Sequence, residues 1–154
     1  VGEGLRKRIR QQRFASPQQE ALLNAMVAAN YVRAQSERVV DAHGITLPQY
    51  NVLRILRGVH PEGHPRYEIA ARMLDRAPDV TRIIDRLDEK GLVERVRGES
   101  DRRHSVTRIT RDGLKLLEEI DPEMQRAFAP MEARLTQREA RELSRLCERL
   151  YEGT

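Results

Sequence analysis

Residues 77–111, APDVTRIIDRLDEKGLVERVRGESDRRHSVTRITR, constrain the fold more than any other stretch of the chain. Val80, Ile83, Ile84 and Leu87 recur at the three- and four-residue spacing of a helix with one buried face. Pro78 is preset for the first turn of that helix, and Gly91 stands where a left-handed residue would end it. Leu92 to Arg97 then changes to a short extended run. The segment GESDRRH, residues 98–104, is turn chemistry, and Ser105 to Ile109 is a second extended run. Thr110 can cap the helix that follows. The order is therefore helix, strand, arginine-rich turn, strand, helix.

The flanking segments read as helices. Residues 1–15 form a basic arm, partly ordered, with Leu5, Ile9 and Phe14 as its apolar residues. Ser16, Pro17 and Gln19 supply a cap, a preset first turn and a capping-box partner. From there Leu22, Leu23, Met26, Val27, Tyr31, Val39 and Val40 keep helical spacing up to Gly44, giving one helix on the order of 40 Å long. That length outreaches a compact reading module, so part of it must pack elsewhere, as against a partner chain. Thr46 to Gln49 is a second capping box, with Tyr50, Val52, Leu53, Ile55 and Leu56 pointing inward before Gly58. A third helix, Arg66 to Leu74, sets Ile69, Ala70, Met73 and Leu74 inward. The helix after Thr110 carries Leu114, Leu116, Leu117 and Ile120, and a kink or break is expected at Pro122 and again at Pro130. The last helix opens on the box Thr136 to Glu139 and lines Ala140, Leu143, Leu146, Cys147 and Leu150 along one stripe. This stripe, like that of the first long helix, has no partner inside the central module.

Charge distribution narrows the function. Residues 1–13 hold five Lys+Arg against one acid, and residues 66–111 hold twelve against nine, whereas residues 112–154 are acidic, seven against ten. Eleven of the twelve cations in residues 66–111 are arginine, whose planar fork suits phosphates and guanine edges. Nucleic acid is the partner this segregation favours. The lone Cys147 rules out an internal disulfide framework, no apolar run approaches a membrane span, and the basic N-terminus lacks a signal peptide's apolar region. A cytoplasmic protein with no membrane contact is expected. There is no glycine-rich phosphate loop and no nucleophile paired with a base, so an enzyme is not expected, nor is a cofactor. His60 and His64 are four apart, but Pro61, Gly63 and Pro65 preclude a helix between them and no third ligand stands nearby, so no metal is expected.

Two short helices joined by a tight turn and followed by a basic hairpin are the parts of a winged helix-turn-helix. The fold expected is mainly α with a small β-wing, the winged helix-turn-helix being flanked by N- and C-terminal dimerisation helices. In such a pair the second helix enters the major groove of double-stranded DNA with its N-terminal residues toward the bases. This nominates Pro78, Asp79, Thr81, Arg82 and Arg86. Arg82 can bond a guanine through O6 and N7; Thr81 can touch a thymine methyl or a phosphate. Asp79 has three roles open to it: accepting from a cytosine amino group, meeting the helix N-terminus, or orienting an arginine. At the wing, Arg102 and Arg103 suit a narrow minor groove, and Asp101 would pair with Arg103 or cap the turn. A basic helical protein-interaction module without sequence-specific DNA binding is the alternative, but it has no need of arginines at a hairpin tip.

The segment DRRHSVTRIT, residues 101–110, resembles the wing signature of MarR-type regulators, with Ile109 in place of the usual Leu. VTRIIDRLDEKGLVER before it resembles their recognition helix and first wing strand, and the similarity extends to the long first helix, the TLPQYNVL helix and the terminal helices. The resemblance implies a single MarR-like domain over residues 1–154: a DNA-binding lobe at 46–110, a dimerisation lobe at 16–45 and 111–154, and the basic arm at 1–15. It further implies a homodimeric transcriptional regulator, a repressor bound to a pseudo-palindromic operator and released by a small-molecule effector. The crevice between the lobes would take that effector, with Tyr31, His43, Tyr50 and Arg54 facing it. In this chain RAP replaces the Ser-Pro type start common in the family.

Overall fold

The computed structural model describes residues 3–75, 79–97 and 105–152, which form seven helices and one three-stranded sheet. The arm contains α1 (Glu3–Ile9), whose Leu5 is buried while the Arg6 guanidinium lies 5.9 Å from the centre of the Phe14 ring. Helix α2 (Pro17–Ala42) starts where its cap predicts: the Ser16 hydroxyl accepts from the Gln19 amide. The return bond differs, because the Gln19 side chain accepts from the amide of Ala15 at 2.7 Å and not from that of Ser16. Helix α3 (Leu47–Arg57) has the full reciprocal box of Thr46 and Gln49, and sends Tyr50, Val52, Leu53 and Leu56 into the core.

The next segment holds an element not expected from sequence. His64–Pro65 forms β1, paired with β3 (Ser105–Ile109), which in turn pairs with β2 (Val93–Arg97); all pairings are antiparallel and the order is β1-β3-β2. Proline is admissible in β1 because it lies at the sheet edge, where its missing N–H breaks no ladder. Burial and the nearby Arg72 push the His64 imidazole below its ordinary pKa, and its Nε2 is buried with no hydrogen-bond partner among the described residues. Helix α4 (Arg66–Arg72) stops short of the Leu74 expected from spacing, and although Ile69 is fully buried, Ala70 is exposed and Leu74 is 91% exposed. The helix ends early because the Leu74 amide bonds across to the Asn51 side chain of α3 at 2.9 Å, not back along its own turn.

Helix α5 (Val80–Glu89) buries Val80, Ile84 and Leu87, with Ile83 half-buried. Gly91 follows it at φ +69, a conformation that L side chains rarely adopt, and allows the chain to reverse into β2. Thr110 then locks two elements together, its hydroxyl donating to the Gly91 carbonyl at 2.7 Å and accepting from the Gly113 amide at 3.1 Å.

Where a kink or break is expected from sequence, helix α6 (Arg111–Glu132) runs through both Pro122 and Pro130 without a break. Both prolines are exposed, as are Glu118 and Arg126 four residues before them. The carbonyls that lose a helical partner therefore belong to residues on the exposed side, while Leu117, Ile120 and Met124 hold the opposite side in the core. Helix α7 (Gln137–Tyr151), started by the reciprocal box of Thr136 and Glu139, buries none of its residues. The core joins the C-terminal end of α2, α3 and α6 to the inward faces of α4, α5, β2 and β3.

Candidate functional site

Helix α5 is held by its apolar face, which leaves Thr81, Arg82 and Arg86 exposed on the other side. Asp79 is its N-cap: Oδ1 accepts the Arg82 amide at 3.0 Å, so of the three roles open to it the helix-terminus one is occupied. The helix thus starts at Val80, two residues beyond the Pro78 expected at its first turn; Pro78 itself lies outside the described residues. Among the described residues nothing engages the Arg82 guanidinium, while Arg86 reaches Glu89 at a long 3.5 Å. Asp85, on the same side of α5 as Arg82 and Arg86, has its carboxylate taken by Arg95 of β2, tying α5 to the first wing strand. Asp101, Arg102 and Arg103 lie outside the described residues, between the paired ends Arg97 and Ser105. A second brace fixes the base of the wing, where Arg108 Nε of β3 donates to the Glu62 carbonyl at 3.0 Å.

A cleft of about 720 Å³ separates α2 from the turn between α4 and α5. Its walls are largely apolar, with Val32, Leu47, Ile55, Met73, Leu74, Met124 and Phe128, and its charged residues are Arg33, Arg54, Arg72 and Asp75. Tyr50 and Arg54 line it, the guanidinium 5.9 Å from the centre of the Tyr50 ring. Burial raises the Tyr50 pKa, only partly offset by Arg54, so the phenol keeps its proton at neutral pH. Tyr31 and His43 do not line the cleft. The lining residues of α2 are Ala29, Val32, Arg33 and Ser36, one helical face, and Tyr31 falls on another. His43 lies past the end of α2, with Nε2 3.3 Å from Glu123 of α6.

Across the cleft, Arg33 of α2 and Asp75 of the α4–α5 turn form a bidentate pair, at 2.8 and 3.0 Å. The hydrogen bond from Arg33 holds the Asp75 carboxyl below its ordinary range near pH 4. A carboxyl depressed in the folded state contributes stability that is present above its unfolded pKa and is lost as pH falls through the lowered folded value. Asp75 therefore keeps its charge throughout neutral and mildly acidic conditions. No sequence signal could have found it, since the partners are 42 residues apart.

Paired helices, an outward arginine on the second, and adjoining antiparallel strands define a DNA-binding protein of the winged-helix class. The chain matches the MarR family over residues 45–105. It is 40% identical to a MarR transcription factor from Planctomyces limnophilus whose crystal structure superposes with a TM-score of 0.68 over 88% of this chain and 98% of that one. It is 29% identical over 129 residues, 83% of each chain, to the homoprotocatechuate degradative operon repressor of Escherichia coli. A MarR family regulator from Streptomyces coelicolor, solved in complex with DNA, shares the fold at a TM-score of 0.79 with 20% identity, over 93% of this chain and 91% of that one. The chain belongs to the MarR family and is a DNA-binding transcriptional regulator.

Proposed function

We propose that the protein is a homodimeric repressor that places two copies of α5 in successive major grooves of a pseudo-palindromic operator, and that an organic anion in the cleft releases it. The observation that carries the reading is the pairing of an anchored α5, whose Arg82 guanidinium nothing among the described residues engages, with two apolar stripes that the described residues leave uncovered. Leu22 and Met26 of α2 are at least half exposed, as are Leu143 and Leu150 of α7. Stripes of this kind are covered when two copies pack together, and the resulting dimer has two reading heads. Residues 46–110 would then be the DNA-binding lobe, and 16–45 with 111–154 the dimerisation lobe. Thr81, Arg82 and Arg86 face the bases and phosphates, Arg102 and Arg103 the minor groove, and Asp101 shapes the wing. Pro78 leads the chain into the groove.

Three arginines against one aspartate in an apolar cleft favour a ligand with an apolar body and a single carboxylate. Repression fits the Escherichia coli relative, named as the repressor of a degradative operon. Action is by binding, in the cytoplasm where the operator lies; no described helix is long and apolar enough to cross a membrane.

Selection from random-sequence duplexes tests the reading. Retained fragments are expected to carry paired, inverted half-sites about 10 base pairs apart, or a multiple of that. Recovery of single, unpaired half-sites would contradict the dimeric arrangement, and retention without any sequence preference would favour the basic interaction module.

A further inference from the structure

The turn that leads into α5 hangs from two tethers. On one side the Leu74 amide is held by Asn51 of α3, which belongs to the proposed DNA-binding lobe. On the other, Asp75 is held by Arg33 of α2, which belongs to the proposed dimer lobe. All four residues line the cleft, so the tethers are part of its wall. Asp75 stands four residues ahead of Asp79, the cap of the DNA-reading helix.

Within the cleft the three cations are placed unequally. Arg72 is paired with Glu68 of its own helix, and Arg54 lies over the Tyr50 ring. Arg33 alone spends its fork on a residue of the opposite wall, and both partners of that pair are about half exposed. Ion pairs that exposed are weak and exchange readily. An incoming carboxylate has the same geometry as the Asp75 side chain and meets the same guanidinium. Two carboxylates crowded on one guanidinium repel each other, so occupancy by one disfavours the other.

Resting on the cleft reading above, we propose that the Arg33–Asp75 pair is a latch fixing the reading head to the dimer helices, and that a carboxylate ligand opens it by taking Arg33. A closed latch preorganises both heads for their half-sites. An open one leaves Leu74 and Asp75 held through Asn51 alone, and operator binding must then restore the order. Ligand and operator are thereby antagonists through one side chain, and by linkage each weakens the other by the same factor.

Asp75→Asn discriminates well, because removing a negative charge from a DNA-binding protein should by electrostatics alone tighten its grip. The latch requires the opposite. Operator affinity of the full chain would be followed by fluorescence anisotropy at fixed salt, with phenylacetate and neutral phenylacetamide as probes and calorimetry for probe binding. Expected are a loss of operator affinity of about fivefold or more in Asp75→Asn, a similar loss in the wild type on adding phenylacetate, and little further loss when both are combined. Phenylacetamide should affect neither protein. Arg33→Gln should lose the latch and phenylacetate binding together. Operator affinity in Asp75→Asn equal to or above wild type overturns the latch. So does phenylacetate weakening both proteins equally, an outcome that leaves the cleft's ligand reading intact. Failure of phenylacetate to bind either protein would instead sink the cleft reading, and the ligand step with it.

Discussion

At the scale of single residues, exposure and engagement separate the arginines of the reading helix. Arg86 is drawn toward Glu89, whereas nothing among the described residues holds Arg82, whose backbone is fixed by the Asp79 cap one turn earlier. A rigid Cα with an unoccupied guanidinium is what bidentate guanine recognition needs, since little ordering remains to be done on binding. Arg82→Ala is expected to cost about 1 to 3 kcal/mol in operator affinity and to relax preference at one position in each half-site. Competition against a panel of single-base operator variants measures this. Equal weakening on every variant would reassign Arg82 to the phosphate backbone. Asp79 itself reads poorly from sequence as a DNA contact because its carboxylate serves the helix end. Asp85 reads poorly for a related reason: helical spacing puts it beside Arg82, and only the folded position of Arg95 shows that it braces the wing.

Elements were legible where a local rule acts alone. The caps at Ser16, Thr46, Thr110 and Thr136 start their helices as spacing predicts, and Gly91 ends α5 as its φ requires. Failures arose where a distant partner decides. The two residues of β1 lie in a loop rich in glycine and proline, and become a strand only because β3 offers them a free edge. A break in α6 would follow if a proline's lost bond mattered equally everywhere, yet here the orphan carbonyls belong to exposed residues, Glu118 and Arg126. Leu74 has the right spacing for the α4 core face but is pulled off the helix by Asn51. The β1 corner has a testable geometry. Gly63 sits at φ +80, and a Cβ there would overlap the Thr107 carbonyl and the Arg108 side chain. Gly63→Ala should therefore destabilise the fold by more than about 1 kcal/mol, since strain and overlap act together. Gly4→Ala in α1, where a Cβ meets open space, should be neutral or slightly stabilising. Urea unfolding of the two variants compares them, and equal midpoints would show that the corner yields freely.

For the whole molecule, the decisive quantity is how much the second reading head adds to the first. A helix such as α7, with Leu143, Leu146 and Leu150 exposed and no residue fully buried, gains little from hydrophobic burial within its own chain. Its apolar side, together with that of α2, must be covered by another molecule to contribute, and a stable partner surface needs on the order of 1,000 Å² in total. If two copies supply it, the second head binds as an intramolecular event, and avidity can exceed that of one head by about 10² to 10⁴. Leu146→Glu with Leu150→Glu places charges on that stripe far from α5 and from the cleft. Sedimentation should show a monomer that keeps its helical circular dichroism, and operator affinity should fall by about the same 10² to 10⁴. The dependence of affinity on salt should flatten as well, because a single head neutralises about half as many phosphates and releases correspondingly fewer counterions. A variant that sediments as a monomer yet binds the full operator as the wild type does would show that one head suffices, and the α2 and α7 stripes would then need another partner.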